Sequence, residues 1–175
     1  MIGHSALKET VENKKQNLFT IGYEGADLKD FVLTLKNLGV TCLADIRQLP
    51  ISRRKGFAKT ALSQALESEG IRYAHFRSLG DPKEGRDAAK AGNYRLFVNI
   101  FTSHMQTEIA QDGLRQLEAI VGQEVVCLMC YEYDHKSCHR SIVARMISDS
   151  VSIHLRHVSV RSGIGQKIKS DGNFL

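Results

Sequence analysis

The run Val125-Val126-Cys127-Leu128-Met129-Cys130 constrains this chain more than any other stretch. A continuous apolar segment of strand length has no polar face to give to water. It must be covered on both sides, as in a parallel sheet sandwiched between helices. A chain built around it therefore has to provide helices for two layers and further strands to flank the central one.

The remaining sequence provides them in alternation. Leu18 to Tyr23 reads as a strand, followed by a helix capped by Asp27 with Leu28, Phe31, Val32, Leu35 and Leu38 at helical spacing and Gly39 as its stop. Val40 to Ile46 is a second strand. A helix with Ala58, Ala61, Leu62, Ala65 and Leu66 on one face ends at Gly70, and Ile71 to Phe76 forms a third strand, less apolar and so nearer an edge. Residues 79–92 have the composition of a long mobile loop. Two helices follow, one marked by Tyr94, Phe97, Val98, Phe101 and Met105, the other by Ile109, Leu114, Leu117, Ile120 and Val121, with Gly113 weakening its start. After the strand Glu124 to Cys130, the pattern of Ser141 to Val151 is helical, and Ser152 to Val158 makes a last strand. The expected architecture is a single α/β domain, a mainly parallel sheet of about five strands with helices on both faces in three layers.

At 175 residues one domain is the economical division: a flexible segment over 1–17, the α/β domain over 18–160, and a polar tail over 161–175. No apolar run is long enough to span a bilayer, and the polar start lacks the pattern of a signal peptide, so the expected location is the cytoplasm. The four cysteines are then reduced thiols rather than a disulfide framework. The net charge of +5 and pI near 9.1 suit acidic partners, nucleic acid and phosphorylated small molecules among them.

In open parallel sheets ligands bind beyond the carboxyl ends of the strands. Those ends carry Tyr23 and Glu24, Asp45 and Arg47, Arg77, and Cys130 and Glu132, and they converge on one rim if the sheet is parallel. With Ser137 as cap, Cys138, His139 and Arg140 occupy the first turn of the last long helix, where free N–H groups and the helix dipole favour a thiolate and attract anions. Cys138 is the candidate nucleophile and His139 the proton carrier. Glu132 and Asp45 are candidate acid/base or orienting groups. Arg47 and Arg140 are candidates for clamping an anion, with Arg53, Arg54, Tyr23 and Glu24 completing the binding surface. Cys42 and Cys127 lie within apolar strands and read as core. A metal held by Cys130 and Cys138 is the rival arrangement, and no cofactor is expected. Adjacent Cys138 and His139 would need awkward geometry to bind one ion, and Cys127 and Cys130 point to opposite faces of their strand.

Thr20-Ile21-Gly22-Tyr23-Glu24-Gly25, Asp45-Ile46-Arg47 with Pro50 and Ser52, Gly56-Phe57, Leu79-Gly80, and Leu128-Met129-Cys130-Tyr131-Glu132 leading to Cys138-His139-Arg140 occur in this order. This ordered set resembles the domain of unknown function 488 family over roughly residues 18–150. The resemblance implies an intracellular α/β domain of prokaryotic type, names no activity, and places the family's motif residues at the same rim. Tyr131 stands where the family usually has alanine or another small residue, which narrows the pocket.

Two functions are consistent with these residues. One is a thiol-dependent enzyme acting on an anionic, phosphorylated or nucleotide-like substrate at the rim. The other is a non-catalytic nucleic-acid-binding or regulatory domain using the basic loop Arg53-Arg54-Lys55.

Overall fold

The computed structural model describes residues 15–164, so the expectations for residues 1–14 and 165–175 lie outside the described residues. Five strands form one wholly parallel sheet: β1 (Gln16–Gly22), β2 (Cys42–Asp45), β3 (Arg72–His75), β4 (Val126–Cys130) and β5 (Ile153–Val158), in the order β3-β2-β4-β1-β5. Among the described residues six helices accompany them: α1 (Leu28–Asn37), α2 (Lys59–Glu67), α3 (Lys83–Lys90), α4 (Tyr94–Met105), α5 (Glu108–Val121) and α6 (His139–Ser150).

The apolar run sits where its composition demands, as the central strand β4, buried at all five residues. Its side chains alternate between two cores. Cys127 and Met129 join Phe31, Leu35, Phe57 and Leu62 beneath α1 and α2. Val126 and Leu128 join Phe97, Phe101, Leu117, Val143 and Ile147 beneath the other helices. The layers are therefore α1 and α2, the sheet, and α3 to α6. β3 is an edge strand, as its polar composition foretells, and β5 at the other edge buries no residue fully, its side chains being half-buried or exposed.

Local signals hold in several places. The Asp27 carboxylate caps α1 by accepting from the N–H groups of Lys29 (2.8 Å) and Asp30 (3.3 Å), a contact worth about 1 kcal/mol. Gly39 takes the left-handed conformation, φ 71°, just past that helix.

Three expectations are corrected. β1 begins at Gln16, because Gln16 and Asn17 pair with Ile153 and His154 of β5. Residues 161–164 are not a free tail: the Arg161 N–H donates to Thr34 Oγ1 (3.1 Å) and the Gly163 N–H to Asp30 Oδ2 (2.7 Å), tying this segment to α1. Residues 79–92 are no long loop, since they contain the end of a 3-10 turn (Arg77–Leu79) and the whole of α3. That helix has no side-chain cap; Pro82 precedes its first residue, an exposed Lys83–Asp87 pair lies along it at i,i+4 (2.7 Å), and Ala88 packs into the core.

The topology opens one crevice. After β1 and β2 the chain passes to α1 and α2 on one face, whereas after β4, which lies between those strands, it passes to α6 on the other. The parting of the connections at the carboxyl end of β4 leaves a gap, the position at which open parallel sheets bind ligands.

Candidate functional site

Cys130 is the last residue of β4, and Glu132 stands two residues beyond it at the mouth of the crevice. The turn then closes through a 3-10 segment (His135–Ser137), in which the Asp134 carboxylate accepts from the Lys136 N–H. This local structure moves the start of α6 by one residue. Cys138, not Ser137, is the N-cap, extended at φ −126° and ψ 143°, with its Sγ accepting from the Arg140 N–H at 3.5 Å.

That break in the backbone brings four reactive side chains together. Cys130 Sγ donates to Glu132 Oε2 (2.9 Å), and Cys138 Sγ donates to the same oxygen (3.1 Å). The His139 ring lies with Nδ1 3.8 Å from Cys138 Sγ. Its Nε2 meets the Ile46 carbonyl at 2.9 Å. A carbonyl only accepts, so Nε2 carries the proton and the Nδ1 lone pair faces the sulfurs. Burial pushes the His139 pKa down and keeps the ring neutral, with the Glu132 carboxylate opposing. The sulfurs of Cys130 and Cys138 lie side by side. Their Cα atoms, however, are 7.8 Å apart, wider than the roughly 4.4–6.8 Å that a disulfide spans.

Arg140 locks this loop. Its Nη1 donates to Cys130 Sγ (3.0 Å) and to the Glu132 carbonyl, and its Nη2 donates to the Tyr133 carbonyl (2.9 Å). The guanidinium is almost wholly buried. It is thus unavailable as the anion clamp expected of it, and instead supplies positive charge directly to the Cys130 sulfur. Gly22 makes room for this arrangement: a Cβ there would lie 1.8 Å from the Glu132 carbonyl oxygen and 3.1 Å from Arg140 Nη1.

At the neighbouring end of β2, Asp45 and Arg47 also depart from expectation. Arg47 Nε and Nη2 grip both carboxylate oxygens of Asp45 (2.9 and 2.6 Å), and Tyr73 OH donates to Asp45 Oδ2 (2.6 Å). The remaining Arg47 nitrogen, Nη1, donates to Tyr23 OH (3.0 Å) and the Phe57 carbonyl (2.9 Å). Burial lowers the Arg47 pKa, but the hydrogen bonds and charge of Asp45 outweigh it and the net shift is upward. The pair is saturated and buried, which removes Asp45 as an acid or base and makes Arg47 a brace rather than a clamp. Tyr23, stacked on Phe57 at 4.5 Å, completes the brace. Glu24 accepts from the Tyr133 N–H (2.9 Å) and fastens the same site loop from the β1 side.

A cavity of about 540 Å³ stands over the rim, with Cys130, Glu132 and His139 in its floor and Tyr23, Arg47, Arg53 and Arg54 among its walls. Cys138 does not line it. Arg54 is partly engaged, its Nε donating to the Ala26 carbonyl. A larger, more open groove of about 1050 Å³ runs beside Arg77, His104 and Arg115, so Arg77 is directed away from the thiols.

Three charged lining residues are absent from the expected set: Asp81, Arg86 and Lys90. All come from α3 or its entry. Asp81 is buried and its Oδ1 has no hydrogen-bond partner among the described residues. Burial raises its pKa to about 7, the Glu132 charge adding to the shift and Arg86 opposing it. A carboxyl so placed can exchange a proton near neutrality. Gly85 is the signal for its position, since a Cβ there would stand 2.1 Å from Asp81 Oδ1. Cys42 and Cys127 are core thiols as expected, the first pushed up by burial to about 11 and the second also raised by burial.

No helix among the described residues is long and apolar enough to cross a membrane. Neither the curated proteins nor the solved structures contain a match to this chain. The family described as "Domain of unknown function DUF488" matches residues 27–147, which takes in β2, β4 and the whole thiol cluster. Because that match covers more than half of the sequence, the chain belongs to the DUF488 family.

Proposed function

We propose that the protein is a thiol-dependent enzyme acting on an anionic molecule, phosphorylated or nucleotide-like, bound at the carboxyl-end rim of the sheet. One observation carries this reading: a floor of thiol, carboxylate and imidazole lies under walls bearing Arg53, Arg54, Arg86 and Lys90. The cations attract and orient an anion, the floor presents sulfur and a neutral imidazole to it, and Glu132 and Asp81 can take up or return protons. Tyr131, exposed and edge-on to the buried Tyr23, supplies aromatic surface at the same mouth. Thiols kept reduced fit the cytoplasm.

Calorimetric titration with pyrophosphate and with nucleoside mono- and diphosphates tests the binding half. Saturable binding that weakens at least tenfold when Arg53 and Arg86 are both replaced by alanine is expected. Ligands that bind should then be turned over by the wild type and not by Cys130→Ser. No binding of any of these anions at low salt would defeat the reading. A nucleic-acid-binding domain would use the same cations, but would show steeply salt-dependent binding of RNA or DNA that Cys130→Ser leaves intact. The enclosed floor of buried reactive groups favours the enzyme.

A further inference from the structure

The ligand atoms of Cys130, Glu132, Cys138 and His139 all lie within 4.8 Å of one another. Four donors so close satisfy a condition that neither core packing nor a single reactive thiol requires. We propose that they bind one Zn2+ ion, through Cys130 Sγ, Cys138 Sγ and His139 Nδ1, with Glu132 as the fourth and exchangeable ligand. The proposal rests on the reading above for where the substrate enters. It goes beyond it in giving the thiols on which that reading depends a metal ion to hold at the floor of the pocket.

Geometry, hydrogen bonding and charge support it independently. A tetrahedral zinc with sulfur at about 2.3 Å and nitrogen at about 2.0 Å has ligand-to-ligand edges of about 3.5 Å. The Cys138 Sγ to His139 Nδ1 distance of 3.8 Å is close to such an edge. Neighbouring residues on a continuous helix could not converge in this way. Here Cys138 is extended and His139 begins the helix, so the change of backbone direction aims both at one point. The Ile46 carbonyl holds the Nε2 proton of His139 (2.9 Å) and leaves Nδ1 bare towards the sulfurs, the arrangement by which backbone carbonyls orient ligating histidines. The backbone spacing of the two cysteines, 7.8 Å between Cα atoms, suits two sulfurs sharing an ion better than a bridge between them.

The charges close as well. Two thiolates and a carboxylate bring three negative charges into a site where Arg140 supplies one positive charge. A divalent cation supplies the other two, and a buried centre of zero formal charge is far cheaper than one carrying a net charge. Sulfur and imidazole select zinc over magnesium or calcium. Cys138 and His139 are buried, whereas Glu132 is half-buried and faces the cavity, so it is the ligand that an incoming anion or water can displace.

The test uses the full chain purified under reducing conditions without chelator. About one zinc per chain should remain bound through gel filtration. Cobalt(II) added to the stripped protein should give the near-ultraviolet thiolate-to-cobalt band and the intense visible absorption of a tetrahedral site. Cys138→Ser should remove about half of the charge-transfer intensity, while Glu132→Gln should keep the band and weaken affinity by about tenfold. Folded protein, judged by circular dichroism, that takes up no cobalt overturns the proposal. So does a weak octahedral spectrum, or a tetrahedral one indifferent to Cys138→Ser. Pyrophosphate titration of stripped and loaded protein separates the two claims. Anion binding without metal uptake refutes the zinc site and leaves the pocket, whereas zinc uptake without anion binding supports the site and removes the substrate class.

Discussion

Two carboxylates stand at the ends of adjacent strands, Asp45 after β2 and Glu132 after β4, and their surroundings are opposite in kind. Asp45 has every oxygen engaged by Arg47 and Tyr73, and Arg47 in turn has its donors spent on Asp45, Tyr23 and Phe57. Glu132 receives two thiols on a single oxygen and opens onto the cavity beside a bare imidazole nitrogen. A closed network holds shape, whereas a crowded, half-satisfied one is waiting for a proton, an ion or a substrate. The first region is scaffold and the second is chemistry, although both read as charged residues at a strand end.

The largest effect should come from breaking the scaffold. Asp45→Ala leaves Arg47 buried without its carboxylate and should cost about 3–5 kcal/mol in urea denaturation. A loss near zero would show that Arg47 escapes to solvent and would return it to the list of substrate-binding groups. Gly22→Ala drives a methyl into the Glu132 carbonyl and should cost about 2–3 kcal/mol while releasing the Arg140 lock. Preserved stability there would mean the lock is not needed.

A pH-dependent contrast is next in size. The Asp81 carboxyl binds its proton more tightly in the folded protein, so its contribution to stability is complete below the unfolded value of about 3.9. It is lost as pH rises through about 7. Asp81→Asn should remove that loss and make the protein more stable than wild type at pH 8 by about 2 kcal/mol, with no such gain at pH 4. Parallel denaturation curves at the two pH values check it, and a variant gaining equally at both would contradict the assignment. Glu132→Gln should change stability by less than about 1 kcal/mol in the same assay, far below Asp45→Ala, yet remove turnover of any anion that the wild type converts. The smallest effect belongs to the exposed Lys83–Asp87 pair, where Lys83→Ala should cost no more than about 0.5 kcal/mol.

The sheet was legible because apolar runs and helical stripes are long-range instructions written locally: β4 could be nothing but central, and Asp27 and Gly39 mark the ends of α1. The closure of Asp45 on Arg47 had a local signal too. Arg47 follows the last residue of β2 by only two positions, so opposite charges at 45 and 47 meet each other first. What stayed hidden was α3. Lys83–Lys90 offers only Ala88 and Ala89 as apolar residues and carries Gly85 in its interior, so no hydrophobic period distinguishes it from a loop. With it went Asp81, Arg86 and Lys90, a wall of the cavity. The cap of α6 was read one residue early because serine is the commoner cap. That single residue decides whether Cys138 and His139 diverge along a helix or converge on Cys130.

Alkylation of the stripped, reduced protein with iodoacetamide, followed residue by residue by mass spectrometry with and without pyrophosphate, tests the division most directly. Cys130 should be modified well before the core thiols Cys42 and Cys127, and pyrophosphate should slow it several-fold without affecting them. A Cys130 no faster than Cys127, or one that saturating pyrophosphate fails to protect, would contradict a thiol centre at the floor of an anion-binding pocket.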